Sequence, residues 1–153
     1  MIKNYTSSVP ASKSIAYIEH RLVSFGASDI YKTYDAAKRL SGIFFTVSLT
    51  GRPTTFSLPA NVENVYKILK RQVRRPKPGT EDRLREQAER SAWKLLADSI
   101  DVDLSLIEIN QVEFLQKFLA YAVVDGGTRE TLYDRMKRGG YRELEYKPDE
   151  LKP

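Results

Sequence analysis

The sequence predicts an α+β fold, a three-stranded antiparallel meander packed against a helical layer with one long central helix. Three observations carry this. Residues 42–49 (GIFFTVSL) alternate in the manner of a half-buried strand, with Ile43, Phe45, Val47 and Leu49 on one face and Phe44, Thr46 and Ser48 on the other. β-like segments flank that run on both sides, at 29–34 and 54–58. Residues 80–110 hold neither proline nor glycine and contain the chain's one tryptophan, Trp93.

Taking the elements in order, residues 1–13 read as an extended arm, because Pro10 disfavours helix at the residue before it. Ser12 or Ser14 can cap a first helix running to about Phe25. Ile15, Ile18, Leu22 and Phe25 share one helical face, and Gly26 follows as a stop. Asp29–Tyr34 is a strand rich in β-branched and aromatic residues, and 35–41 is a polar turn. After the strand 42–49, Thr50-Gly51-Arg52-Pro53 supplies a second turn, and 54–58 returns until Pro59 ends it. Asn61 caps a second helix from Val62 to about Val73, with Val62, Val65, Leu69 and Val73 on its apolar face. Pro76 and Pro78 break it.

The long helix follows, with Thr80 as its cap and Glu81 and Asp82 in its first turn. Leu84, Ala88, Ser91, Leu95, Ser99, Val102, Leu106 and Ile109 step by alternating fours and threes, close to a heptad seam. Ala92, Leu96, Ile100, Leu104 and Ile107 widen the apolar side, so burial against several elements is expected. Asp98, Ser99, Asp101 and Asp103 have modest helix propensity and leave a kink or break near 100–103 open. Residues 111–119 read as a further helix, 121–124 as a short extended piece and Asp125-Gly126-Gly127 as a turn. Thr128 is expected to cap a last helix to Arg138, and the polar tail 141–153 is expected to lack order beyond Tyr146.

At 153 residues the chain suits one domain. The alternative is two lobes, 1–75 and 80–140, joined by the segment 74–79. The absence of cysteine excludes disulfides and thiolate–metal sites and suits a reducing compartment. The first residues lack the apolar run of a signal peptide, and no stretch approaches the ~20 apolar residues of a membrane span, so a cytoplasmic setting is expected.

Charge is unevenly distributed. Residues 61–79 hold six Lys/Arg against one acid, whereas residues 80–125 hold five against ten. The six cations are Lys67, Lys70, Arg71, Arg74, Arg75 and Lys77, and they form the expected nucleic-acid or partner-binding site, because clustered cations displace counterions from phosphates. Tyr31, Tyr34, Phe44 and Tyr66 could add base stacking near them. Asp98, Asp101 and Asp103 are a candidate acidic partner surface, and with Glu108 they form the densest carboxylate group. Magnesium held by such acids would suit a small nuclease, but no known metal-loop spacing is present, and neither a metal nor a cofactor is expected. His20, the one histidine, has no cysteine or serine partner in the pattern of a zinc site or triad. Gly126-Gly127 before Thr128 is a weak candidate for cradling phosphate.

Four stretches, KSIAYIEHRLVSFGAS, TTFSLPANVENVYKIL, QAERSAWKLL and FLAYAVVDGGTRETLYDRM, carry a resemblance over most of residues 5–138. They resemble a family of small proteins encoded by phages and other mobile elements, a family without an assigned activity. The shared LPANV and AERxAW motifs are structural and name no chemistry. The stretch KLLADSIDVDLSLIEINQ after Trp93 is more polar than that family's usual run. The resemblance implies a phage-derived accessory protein, non-enzymatic, that binds and inhibits a host nucleic-acid machine in the manner of an anti-CRISPR protein. Its implied partner is a host or phage nucleic-acid-processing protein or ribonucleoprotein. The alternative is a DNA- or RNA-binding accessory of phage replication or recombination.

Overall fold

The computed structural model describes residues 1–146 and 148–150. Its elements are α1 (Ala11–Phe25), β1 (Asp29–Tyr34), β2 (Leu40–Leu49), β3 (Arg52–Pro59), α2 (Val62–Arg71), α3 (Thr80–Glu108), α4 (Phe114–Phe118) and α5 (Leu132–Arg138). The sheet is a three-stranded antiparallel meander in the order β1-β2-β3. This is the α+β architecture with one long central helix that the alternation of 42–49 and the unbroken run after Gly79 predict.

The register explains the burial. Ile30, Phe45 and Phe56 lie opposite one another, as do Lys32, Ile43 and Leu58. Residues directly opposite share a face, so Phe45, Ile43, Val47, Phe56 and Leu58 form the buried floor of the sheet. Ile18 and Leu22 of α1, Trp93, Ala97, Ile100 and Leu104 of α3, and Phe114 and Phe118 of α4 pack on it. Phe114 stacks on Phe25 at 5.3 Å and on Phe118 at 4.6 Å, and meets Phe56 edge-on at 5.1 Å. Trp93 is fully buried and acts as a packing anchor.

A second cluster lies along the first half of α3. There Val65, Tyr66 and Leu69 of α2 close over Ala88 and Ala92, with Ile2, Val62 and Leu84 at its edge. The segment 74–79 therefore connects two helices that pack on each other. Its end is tied down: the backbone N–H of Lys77 donates to Thr80 Oγ1 at 2.9 Å, and the N–H of Thr80 donates back to the Lys77 carbonyl at 3.0 Å.

Several boundaries differ from expectation, each for a local reason. α1 starts at Ala11 behind Pro10, and neither Ser12 nor Ser14 caps it, since Pro10 already sets an extended entry into the first turn. Asn61 makes no capping hydrogen bond, and α2 stops at Arg71. Gly79, at φ 82°, takes the cap position of α3 in place of Thr80. The β2–β3 turn is the two residues Thr50-Gly51, at φ 49° and 78°, while Arg52 and Pro53 belong to β3. Positive φ at both positions is the hairpin geometry that matches strand twist.

α3 runs unbroken through 100–103. Ile100 and Leu104 are buried beneath the sheet, and the polar residues between them are held by partners on other elements, which offsets their low propensity. The region 111–119 shortens to α4, set by a capping box between Glu113 and Gln116, followed by a single 3₁₀ turn at Leu119–Tyr121. Residues 122–123 then cover the outer edge of β3, where the Val123 N–H donates to the Thr55 carbonyl at 2.8 Å. The last helix starts three residues later than expected. Thr131 caps it in a box with Asp134, and Thr128 stays in the loop. The expected loss of order beyond Tyr146 falls largely outside the described residues. No described helix is long and apolar enough to cross a membrane.

Two stability predictions follow from these contacts. Phe45→Ala should cost about 3–5 kcal/mol, the range for deleting a buried aromatic ring, read from urea or thermal unfolding. Thr50→Asn should raise stability by about 0.5–1 kcal/mol, since a β-branched residue pays more for left-handed backbone than asparagine does. A Thr50→Asn midpoint at or below wild type would contradict that account.

Candidate nucleic-acid interface

The basic run occupies one end of the molecule. Lys67, Lys70 and Arg71 lie on the solvent side of α2, and Arg74, Arg75 and Lys77 follow in the turn into α3; all six are exposed. The reason is the amphipathic spacing of α2. Val65, Tyr66 and Leu69 face α3, which leaves the lysines and Arg71 outward. Lys70 and Arg71 also sit in the last turn of α2, where positive charge suits the helix C-terminus.

Nearby acids do not neutralise this run. Glu63, the one acid of residues 61–79, is 3.4 Å from Arg85. Glu81 lies 3.5 Å from the same Arg85 and accepts from the Tyr66 hydroxyl at 3.0 Å. Among the described residues no ion pair includes any of the six cations. A hollow of about 300 Å³ opens beside them, lined in part by Tyr66, Lys70, Pro76 and Glu81.

The acidic residues are spent inside the molecule. Asp98 accepts from Lys94 Nζ at 2.5 Å and from Asn4 Nδ2 at 2.9 Å, with Lys3 Nζ 3.9 Å away. Asp101 accepts from the Tyr17 hydroxyl at 2.7 Å and from Arg21 Nε at 3.0 Å. Arg21 also donates to Glu108 at 2.8 Å. Asp103 lies on another side of the helix, 3.4 Å from Lys117 Nζ. The three aspartates thus turn to the N-terminal arm, α1 and α4 respectively. Among the described residues no three His, Asp or Glu side chains gather in a way that could hold a metal ion.

Burial raises the Asp98 carboxyl, but the hydrogen bonds from Lys94 and Asn4, with the Lys94 and Lys3 charges, outweigh it and hold the group below its ordinary value. The Tyr17 hydroxyl, with Arg21, does the same for Asp101 against a smaller burial effect. The hydrogen bond to Asp101 also raises the Tyr17 hydroxyl.

The aromatic residues divide. Tyr66 is buried, its ring covered by the Arg85 guanidinium at 4.1 Å, so it is not a stacking surface. Tyr31 and Phe44 lie opposite each other on the outer face of the sheet. Tyr31 is exposed, while Phe44 is half-buried with the Arg129 guanidinium 5.6 Å from its ring centroid. Tyr34 is exposed at the end of β1. These three belong to the sheet, whereas the cations belong to the α2–α3 end. Arg129, in a loop at φ 60°, is the side chain that sequence reasoning missed near Phe44, since nothing local ties residue 129 to strand β2. His20 is exposed on α1. Gly126-Gly127 precedes a loop instead of a helix N-terminus; Asp125 Oδ1 fixes that loop by accepting from the N–H groups of Gly127 and Thr128.

With this geometry in hand, comparison with known proteins finds no match: no family model, no curated protein and no solved structure matches the chain.

The pH response of Asp98 gives a prediction. A carboxyl depressed in the folded state adds stability above its unfolded value, about 4, and loses it as pH falls through the lower folded value. Asp98→Asn should therefore cost about 1 kcal/mol at pH 7. The gap to wild type should close as pH falls below about 4, measured by denaturation at a series of pH values.

Proposed function

We propose that this chain is a binding protein that contacts the phosphate backbone of nucleic acid through Lys67, Lys70, Arg71, Arg74, Arg75 and Lys77. The observation that carries this is the contrast in pairing. The six cations are exposed and unpaired among the described residues, while Asp98, Asp101 and Asp103 are engaged by the protein's own cations and hydroxyls. Unpaired cations release counterions when they meet phosphates, and that release is favourable at moderate salt. A carboxylate already paired inside the molecule has less to offer a basic partner, so nucleic-acid mimicry by the aspartates loses weight against direct contact by the cations.

Two settings suit the same surface. In one, the protein is a phage accessory of replication or recombination that binds DNA or RNA directly. In the other, it attaches to nucleic acid held within a host machine, such as a CRISPR nuclease, and inhibits it. The resemblance to phage- and mobile-element-encoded proteins supports both settings. The unpaired cations favour the first, because they need no protein partner to act.

Filter binding or fluorescence anisotropy over a salt series tests the proposal. Wild type should bind DNA or RNA with a salt slope near −0.9 per phosphate contacted in a duplex. Replacing Arg71, Arg74 and Arg75 together by Ala should flatten that slope by about 2–3 and leave the thermal midpoint nearly unchanged, since all three are exposed. Equal binding by the triple variant at low salt would rule out the basic surface. Affinity only for a protein–nucleic-acid complex would favour the inhibitor.

A further inference from the structure

We infer that the outer face of the sheet holds an unpaired nucleotide of a single strand, its base against Tyr121 and Tyr133 and its phosphate at Arg129. This deepens the nucleic-acid reading above and rests on it for the class of ligand, but it uses none of the six cations of α2 and its following turn.

The site is a hollow of about 420 Å³ beside β3, where the chain returns from α4 to the sheet. Ser57, Tyr121, Arg129, Thr131, Tyr133 and Asp134 are among its walls. A volume of that size suits a small planar ligand. Strand pairing sets its position. Tyr31, Phe44 and Ser57 lie opposite one another across β1, β2 and β3, on the face turned away from α1 and α3. Ala122 then bridges to β3, and Val123 bridges to Thr131 beyond it. Tyr121 and Tyr133 are 44% and 48% exposed, and Tyr31 is 57% exposed. Unlike the phenylalanines beneath the sheet, these rings keep surface in solvent. Tyr133 is steadied by Tyr141, whose hydroxyl lies 3.3 Å from its own.

Arg129 supplies the charge. Its guanidinium lies over the Phe44 ring, 5.6 Å from the centroid. Such a contact orients the guanidinium plane and leaves its N–H edge open. Among the described residues Arg129 makes no ion pair, whereas Arg135 and Arg138 both pair with Glu130. Its backbone sits in the left-handed region at φ 60° and is fixed on both sides. Before it, Asp125 Oδ1 accepts from the N–H groups of Gly127 and Thr128; after it, the Glu130 carbonyl accepts from the Val124 N–H at 2.8 Å. An unpaired guanidinium held in this way recognises a phosphate through paired N–H donors. The tyrosine wall beside it takes a base, since every base has a face that stacks.

Asp134 decides which way round the nucleotide lies. Its Oδ2 accepts from the Thr131 N–H at 3.1 Å, and that bond holds the carboxyl below its ordinary value. The carboxylate therefore stays ionised at neutral pH and repels phosphate, which leaves the phosphate to Arg129. A base amino group or a sugar hydroxyl can donate to it instead. A strand fits this face better than a free nucleotide does. One arginine offsets only part of a free nucleotide's charge, and Tyr31, further along the row, offers a ring to a neighbouring base. In a duplex the base faces cover one another and are closed to the tyrosines.

Fluorescence anisotropy with a short labelled oligothymidine, and with a duplex of the same length, tests the inference. Wild type should favour the single strand by about fivefold or more. Arg129→Gln and Tyr133→Leu should each weaken single-strand binding by about fivefold or more and leave duplex binding unchanged. Tyr133→Phe, which keeps the ring, should bind as wild type does. Thermal midpoints should hold, since both side chains are exposed. Oligothymidine carrying iodouracil should photo-cross-link to a peptide that contains Tyr121 or Tyr133. Duplex binding without preference for the single strand would overturn the inference. So would single-strand affinity that Arg129→Gln and Tyr133→Leu leave intact, cross-links confined to residues 66–77, or displacement by thymidine monophosphate or inorganic phosphate as readily as by the oligonucleotide. The basic surface is read separately, from the duplex and its salt slope. Single-strand binding that the triple Arg71, Arg74 and Arg75 variant leaves unchanged would count against that surface and leave this site standing.

Discussion

Five phenylalanine rings hold the parts of this molecule together. Phe25 comes from the end of α1, Phe45 and Phe56 from the floor of the sheet, and Phe114 and Phe118 from α4. Their edge-on and stacked contacts add to the area that they bury. They join segments that are far apart in the chain, and thereby fix where the residues after α3 return to the sheet. From that return follows the bridge of Ala122 to Phe56 and the covering of the β3 edge, which would otherwise offer unpaired backbone to another chain. The position of Arg129 over Phe44 follows from the same return.

α3 is the frame on which the charges are sorted. One side of it carries the sheet and another carries α2, so the cations of α2 and its following turn are left at one end of the molecule. Further along, its aspartates are drawn to the N-terminal arm, α1 and α4. Those pairs are partly exposed, so each adds modestly to stability. Their greater consequence is that Asp98, Asp101 and Asp103 are committed inside the protomer while the six cations of α2 and its following turn are left open to solvent. A chain with net charge of +5 thus presents its free positive charge locally, which is the arrangement that favours attraction of a polyanion.

The β-meander, α1, the presence of a long helix after Gly79, and the cationic run were legible in the sequence because each rests on spacing between near neighbours. Period-two alternation placed Ile43, Phe45 and Val47 inward. The α1 spacing placed Ile18 and Leu22 inward. Boundaries fared less well where two residues could serve the same end. Thr128 and Thr131 are both sensible helix caps, and only the bridge between Val123 and Thr131 selects the later one. Low local propensity near Asp98–Asp103 left a break in α3 open; the partners that remove it lie some 80 to 94 residues earlier in the chain.

By itself, the sequence determined which residues are apolar at which period, where the chain turns, and that six cations stand together without an acid among them. Only the tertiary structure decided which charges are neutralised, that Tyr66 is buried while Tyr31 is open, and that α2 covers just the first half of the α3 seam. The physical reason is range. Helix and strand patterns are set within a few residues, whereas pairing and burial depend on which distant segments meet. That meeting is set by the fit of whole apolar faces, the phenylalanine cluster above all.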